Sequence, residues 1–220
     1  MPPKLVIFDC DGVLVDSEPI TNAALAREMT EAGLPMTTEQ SIELFVGGTV
    51  KGVYDKALSM GANLPDDWVA GFYDRMIAAL AAEVEVIPGI AAVLDRLAAA
   101  GIPHCVASNG PMRKMEATLG RTGLLDRLGG MQGGRLFSAH DVGVAKPDPG
   151  LFLHAAGAFA TAPTDCIVVE DSGSGARAAK AAGMRCLGYT ADTPAEKLAP
   201  HGATPFADMA ELPALLGLDG

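Results

Sequence analysis

Short, largely apolar runs alternate with stretches of helical periodicity along most of the chain. The runs occupy residues 5–8, 102–107, 135–137, 166–169 and 184–188. Between them, Ile90, Leu94 and Leu97 share one helical face, as do Met112, Met115 and Leu119, and Phe152, Ala155 and Phe159. Runs that are apolar throughout, with no polar alternation, suit parallel strands covered on both faces. Repeated strand–helix alternation predicts an α/β fold: a doubly wound parallel sheet with a Rossmann-like core.

One region breaks the alternation. No strand pattern appears between residues 17 and 83. Ile20, Ala24 and residues 25–29 fit one helix, closed by Gly33 and followed by Pro35. Val69, Phe72, Met76 and Leu80 fit another, and residues 49–60 a third. This stretch is too long for an ordinary strand-to-strand crossover. It predicts an inserted helical subdomain over 17–83, with an α/β core made of 1–16 and 84–220. Residues 15–17 and 84–88 read as the two linkers, and the Gly-rich 129–134 as a loop.

Charge narrows the partners. The chain has 220 residues, 49% hydrophobic and 20% charged, with 27 acids against 16 bases and a net charge of -11. Nucleic acid and anionic membrane both call for clustered positive charge, so neither is expected as a partner. An anionic small substrate must instead meet a bound metal ion or a few placed cations. Cys10, Cys105, Cys166 and Cys186 form no C-x-x-C pair and fall in or beside buried runs, where they read as reduced, small apolar residues. No run of about 18 apolar residues occurs, and the first apolar run is interrupted by acids, so a soluble, cytoplasmic protein is expected. No obligate protein partner is evident.

The interrupting acids are the first chemical signal. Asp9 and Asp11 follow the run 5–8, and side chains two apart in extended chain point the same way. In an open α/β sheet, that direction leads to the crevice beyond the carboxyl ends of the strands, where ligands bind. Two such acids repel unless a proton or cation separates them. A magnesium ion, which takes oxygen ligands, meets that need. Asp-x-Asp alone is a common turn feature. The other strand ends add to it: Ser108 and Asn109 follow the run 102–107, Glu170 and Asp171 follow 166–169, and Lys146 precedes a further helix start.

The stretches "FDCDGVLVDSE", "ASNG", "AKPDP" and "VEDSGSG" together resemble the four motifs of the haloacid dehalogenase superfamily. The likeness is to the β-phosphoglucomutase-like subgroup, which has a helical cap inserted after the first motif. It covers nearly the whole chain, the cap more loosely. The runs "VASNGPMRKMEATLGRTGL" and "LFSAHDVGVAKPDPGLF" look most like the 6-phosphogluconate phosphatases. The resemblance implies Asp9 as nucleophile, forming an aspartyl-phosphate, and Asp11 as general acid and then general base. It implies magnesium held by Asp9, the Asp11 carbonyl, Asp171 and Glu170 (directly or through water). Ser108, Asn109 and Lys146 would bind the phosphoryl oxygens.

The cap would set the substrate, a small phosphorylated metabolite. Glu18, Thr49 and Lys51 are its candidate contacts, the last two in a substrate loop at residues 46–52. Mutases of this subgroup tend to carry an arginine in that loop and a histidine after the first motif. Val50 and Thr21 stand there instead, which favours hydrolysis over phosphomutase chemistry, the alternative. The expectation is thus a magnesium-dependent phosphatase of small phosphorylated sugars or sugar acids. A dehalogenase would lack the acid at Asp11. The "GSGARA" run at 173–178 fits a dinucleotide fingerprint, but Glu170 and Asp171 would repel a pyrophosphate there. His104, His140, His154 and His201 have no metal-ligand spacing.

Overall fold

The computed structural model describes residues 2–45, 49–130 and 133–218. Its strands are β1 (Leu5–Phe8), β2 (Val15–Asp16), β3 (Glu85–Val86), β4 (His104–Ser108), β5 (Leu136–Ser138), β6 (Cys166–Glu170), β7 (Arg185–Tyr189) and β8 (Ala203–Phe206). Six of them form one parallel sheet in the order β5-β4-β1-β6-β7-β8, as a doubly wound fold requires.

The strands predicted from apolar runs all form, with ends displaced by at most two residues. Val6, Val106, Val168 and Val169 are completely buried, which explains why these strands lack polar alternation. Leu5, Ile7, Cys105, Ala107 and Val168 pack in one cluster with Leu151, Phe152 and Ala155 of the helix Gly150–Ala158 and Ala176 and Ala179 of the helix Gly173–Ala181. By strand alternation, Val6 and Phe8 serve the other face. The four cysteines are free and buried.

Two strand features escape the apolar pattern. β8, "ATPF", has exposed Thr204 and Pro205, and it lies at the sheet edge, where a missing N–H is tolerated. The segments read as linkers pair with each other: Val15 lies opposite Val86 and Asp16 opposite Glu85, as the antiparallel ribbon β2–β3. Both ends of the inserted segment are therefore tied together by main-chain bonds.

The chain divides into two compact units, Met1–Asp16 with Glu85–Gly220, and Ser17–Val84. The second contains helices Glu18–Glu31, Thr38–Phe45, Val50–Ser59 and Trp68–Glu83. Thr38–Phe45 is the one of these that the apolar spacing does not reveal. Of the candidate substrate loop, Val46, Gly47 and Gly48 lie outside the described residues, as do Met131 and Gln132 of the Gly-rich loop. Among the described residues, no helix is long and apolar enough to cross a membrane.

In the helical unit the Glu28 carboxylate is buried. Glu28 Oε2 accepts from Trp68 Nε1 at 2.8 Å and from Arg75 Nη2 at 2.7 Å, while Oε1 accepts from Arg75 Nε at 2.7 Å. Arg75 is half exposed, so the larger loss on removing Glu28 falls on the buried indole N–H. Glu28→Ala is expected to destabilise the protein by about 1–3 kcal/mol, a fall in Tm of roughly 2–4 °C per kcal/mol. A melting temperature equal to that of the wild type would refute this.

Candidate active site

β1 lies between β4 and β6, and this order assembles the site. Phe8 is in register with Val106 and with Val169, so the chain leaves all three strands side by side. Asp9 follows β1, Ser108 ends β4 with Asn109 next, and Glu170 ends β6 with Asp171 next. The strand order runs outward from β1 on both sides, through β4 to β5 and through β6 to β8, and such a switch point opens a crevice at the carboxyl ends.

After β1 the chain makes one tight turn. The amides of Leu14 and Val15 both donate to the carbonyl of Cys10, and the Gly12 amide donates to the carbonyl of Val15. Gly12 has φ +72°, in the left-handed region, and a Cβ there would collide with the Asp171 carboxylate. The glycine thus serves both the turn and the approach of the fourth strand end to the first.

Lys146 is the electrostatic centre. Its side chain is 2% exposed, and Nζ donates to Asp9 Oδ1 at 2.8 Å and Glu170 Oε1 at 2.6 Å. The ammonium also sits 5.0 Å from the Phe152 ring centroid, within cation–π range. Burial alone would lower the Lys146 pKa, but the charges of Asp9 and Glu170 outweigh it and hold the ammonium protonated well above the usual range. For Asp9 the balance runs the other way. Burial first and the Glu170 charge second outweigh Lys146, and push the carboxyl up to about 7.

The groups around Lys146 are themselves fixed. Glu170 is completely buried, and its Oε2 accepts from the Asp171 amide, the Ser172 amide and the Ser172 hydroxyl at 3.1, 2.9 and 2.8 Å. Ser172 also caps the helix Gly173–Ala181 by accepting from the Gly175 amide. A Cβ on Gly175 would occupy the position of the Glu170 carboxylate. Asn109 stands at the expected strand end, but its side chain is turned to the main chain of Lys146. Nδ2 donates to the Lys146 carbonyl at 3.1 Å, and Oδ1 accepts from the Lys146 amide at 2.9 Å. Ser108 Oγ accepts from the Gly110 amide, and Ser138 Oγ donates to the Gly110 carbonyl. These bonds shape a short loop between β4 and the helix Met112–Arg121.

Asp11 has a cation of its own. Lys114, in the first turn of that helix, places Nζ 2.7 Å from Asp11 Oδ1. Burial opposes the charge on Lys114, and Asp11 more than restores it, raising its pKa. The sequence pattern gave no sign of Lys114 or Ser138. A lysine on a helix ordinarily reads as surface, and a serine at a strand end as a cap.

One carboxylate oxygen each from Asp9, Glu170 and Asp171 lies within 4.8 Å of the others, a spacing at which a single cation can bridge them. With Asp11, four carboxylates face two ammonium groups here. The clustered acids and the raised Asp9 pKa suit a hard divalent cation with oxygen ligands. Two of the three cap candidates, Thr49 and Lys51, are engaged within their own unit. Thr49 Oγ1 accepts from the Gly52 amide as a helix cap, Lys51 bonds both Asp55 oxygens at 2.8 Å, and Glu18 lies in the first turn of its helix. Thr21 Oγ1 is buried with no hydrogen-bond partner among the described residues.

The model of the haloacid dehalogenase-like hydrolases matches residues 3–183, and the chain belongs to that family. It is 34% identical over 214 residues to the 6-phosphogluconate phosphatase of Escherichia coli, covering 96% of this chain and 94% of that one. Among solved structures, a HAD family hydrolase of Deinococcus radiodurans with bound phosphate and sodium has a TM-score of 0.81 at 32% identity, covering 99% of this chain and 97% of that one. The Rhodobacter sphaeroides protein CbbY in complex with xylulose-(1,5)bisphosphate has a TM-score of 0.82 at 25% identity, covering 99% of this chain and all of that one.

The raised Asp9 pKa makes a prediction about stability. In the metal-free protein, folding favours protonated Asp9. That preference is fully available below the unfolded-state pKa near 4 and is lost as pH rises through about 7. Above pH 7 the folded protein carries the cost of the charged, crowded carboxylate, and Asp9→Asn removes it. In EDTA at pH 8, Asp9→Asn should raise Tm by several degrees, with the gain shrinking steadily towards pH 5. A variant less stable than wild type at pH 8 would show that Lys146 outweighs the repulsion.

Proposed function

We propose that this haloacid dehalogenase-like hydrolase is a magnesium-dependent phosphatase that hydrolyses small phosphorylated sugars or sugar acids through an aspartyl-phosphate on Asp9. The observation that carries this reading is the pairing of two strand-end aspartates with separate lysines. Asp9 is bonded to Lys146 and Asp11 to Lys114, beside the acids Glu170 and Asp171.

In the first half-reaction, an Asp9 oxygen attacks phosphorus in line as the bond to the leaving oxygen breaks, and protonated Asp11 gives that oxygen its proton. In the second, Asp11 as carboxylate takes a proton from water. The water oxygen bonds to phosphorus, and the Asp9–phosphorus bond breaks with its electron pair returning to Asp9. Lys146 and the Ser108 hydroxyl, both in the core unit, would bind the phosphoryl oxygens, and Asn109 would act by holding the Lys146 backbone. Asp9, the Asp11 carbonyl and Asp171 would hold the magnesium ion. Glu170, whose oxygens already accept from Lys146, Asp171 and Ser172, would contribute through water. When bound, the ion offsets phosphate charge and the mutual repulsion of the acids.

Glu18, Thr49 and Lys51 are the residues we propose for the non-phosphate part of the substrate. The Lys51–Asp55 pair is exposed and of the weak i,i+4 kind, so a substrate carboxylate can compete for Lys51. The relatedness to 6-phosphogluconate phosphatase supports a sugar acid as one of the better substrates.

The test measures phosphate release from a panel of sugar phosphates and phosphorylated acids, with magnesium or with EDTA. Release from 6-phosphogluconate is expected with magnesium, to be lost in EDTA and abolished by Asp9→Asn. Incubation with β-glucose 1-phosphate and a trace of its 1,6-bisphosphate should yield more free phosphate than glucose 6-phosphate. Isomerisation outrunning release would establish the phosphomutase reaction instead, and full activity in EDTA would refute the metal requirement.

A further inference from the structure

Lys114 has no part in the four motifs, yet it is built into the site. Its side chain is 13% exposed, unusual for a helix lysine, and Nζ lies 2.7 Å from Asp11 Oδ1. The aliphatic stem runs beside Gly110, where an added Cβ would lie 3.4 Å from Lys114 Cδ, 3.3 Å from Ser108 Oγ and 4.0 Å from Asp11 Oδ2. One small space is therefore bounded by the phosphate-loop serine, the Asp11 carboxylate and Lys114. The helix that carries Lys114 is also joined to the β1 loop. Thr118, completely buried one turn later, places Oγ1 3.9 Å from Cys10 Sγ and 3.0 Å from the Lys114 carbonyl. Cys10 is the residue between Asp9 and Asp11.

We propose that Lys114 is a positioning residue that holds the Asp11 carboxylate in place for the second half-reaction, attack of water on the aspartyl-phosphate. The inference rests on the roles of Asp9 and Asp11 given above. Once Asp11 has given its proton to the leaving alcohol it is an anion, and the ion pair with Lys114 is the arrangement suited to that state. In the step Lys114 supports, Asp11 takes one proton from water, the water oxygen forms its bond to phosphorus, and the Asp9–phosphorus bond breaks to release inorganic phosphate. Lys114 neither gains nor loses a proton. Asp11, Lys114, Thr118 and Cys10 all belong to the α/β unit.

The experiment uses p-nitrophenyl phosphate, whose leaving group departs without an acid, and compares the wild type with Lys114→Met, Lys114→Arg, Asp11→Asn and the Asp11→Asn/Lys114→Met double variant. Rapid-quench kinetics on the magnesium-loaded protein should show that Lys114→Met keeps a near-normal burst of p-nitrophenol. Its steady-state kcat should fall by about 10–100-fold, the size of a loss of alignment, as phosphoenzyme accumulates. Lys114→Arg, which keeps the charge, should recover most of the rate. The double variant should be no slower than Asp11→Asn, because Lys114 acts through Asp11. Thermal melts identify any variant that fails to fold, and Lys114→Arg then carries the comparison through its burst and steady-state phases. A Lys114→Met protein that turns over as fast as wild type, or loses burst and steady state equally, or raises KM in place of lowering kcat, overturns the inference. If wild-type Asp9 never becomes phosphorylated, the two-step reading itself fails, an outcome distinct from any of these.

Discussion

Carboxylates crowded at one edge of a sheet repel one another, and most of the core unit's local sequence can be understood as a response to that repulsion. Lys146 bonds two of the acids at once, so its position must be held closely. Asn109 supplies that restraint by bonding the Lys146 main chain on both sides of the residue. Glu170 must be equally still, and the Ser172 hydroxyl and two amides bind its second oxygen. The absence of a side chain at Gly175 then leaves space for Glu170, and its absence at Gly12 leaves space for Asp171. A lysine, an asparagine, a serine and two glycines from distant parts of the chain are thus linked to one charge problem.

The solution leaves the problem partly unsolved. Lys146 does not fully offset the burial of Asp9 and its nearness to Glu170, and the Asp9 carboxyl remains hard to ionise in the metal-free protein. Structures commonly carry such local strain where chemistry is done, with the rest of the fold holding the groups together. Here that support is the sheet. Val6, Ile7, Phe8, Val168 and Val169 are all completely buried, and β1 is paired on both sides immediately before Asp9. A carboxylate placed after an edge strand would lack this second restraint.

How much of this was legible in the sequence depended on whether a residue's neighbours in the chain were also its neighbours in space. The central strands were legible because burial on both faces leaves continuous apolar runs such as "LVIF" and "CIVV". β8 was not, because an edge strand can expose Thr204 and Pro205. The ribbon β2–β3 was not, because two residues on each side are too few to show a period. Asp9, Asp11, Glu170 and Asp171 stood out as polar breaks after apolar runs. Lys114 did not, since the pattern "PMRKMEATL" is that of an ordinary amphipathic helix, and only the fold brings its polar face against Asp11. Asn109 was legible as a strand-end residue, but its bonds to Lys146, 37 positions away, were not. Spacing along the chain locates candidates and leaves their partners undetermined.

The two lysines are not equivalent, and their difference matches the two tasks in the proposed reaction. Lys146 is 2% exposed at the side chain and bonds two acids, one of which, Glu170, is wholly enclosed. Lys114 is 13% exposed and holds Asp11, whose side chain is 27% exposed against 13% for Asp9. A nucleophile must meet phosphorus in one direction and gains from enclosure, which strengthens every electrostatic contact around it. A proton carrier must meet a leaving group and then a water molecule, and a carboxylate shut away from solvent could not do the second. The deeper lysine therefore accompanies the group that must stay still, and the more exposed lysine accompanies the group that must reach water.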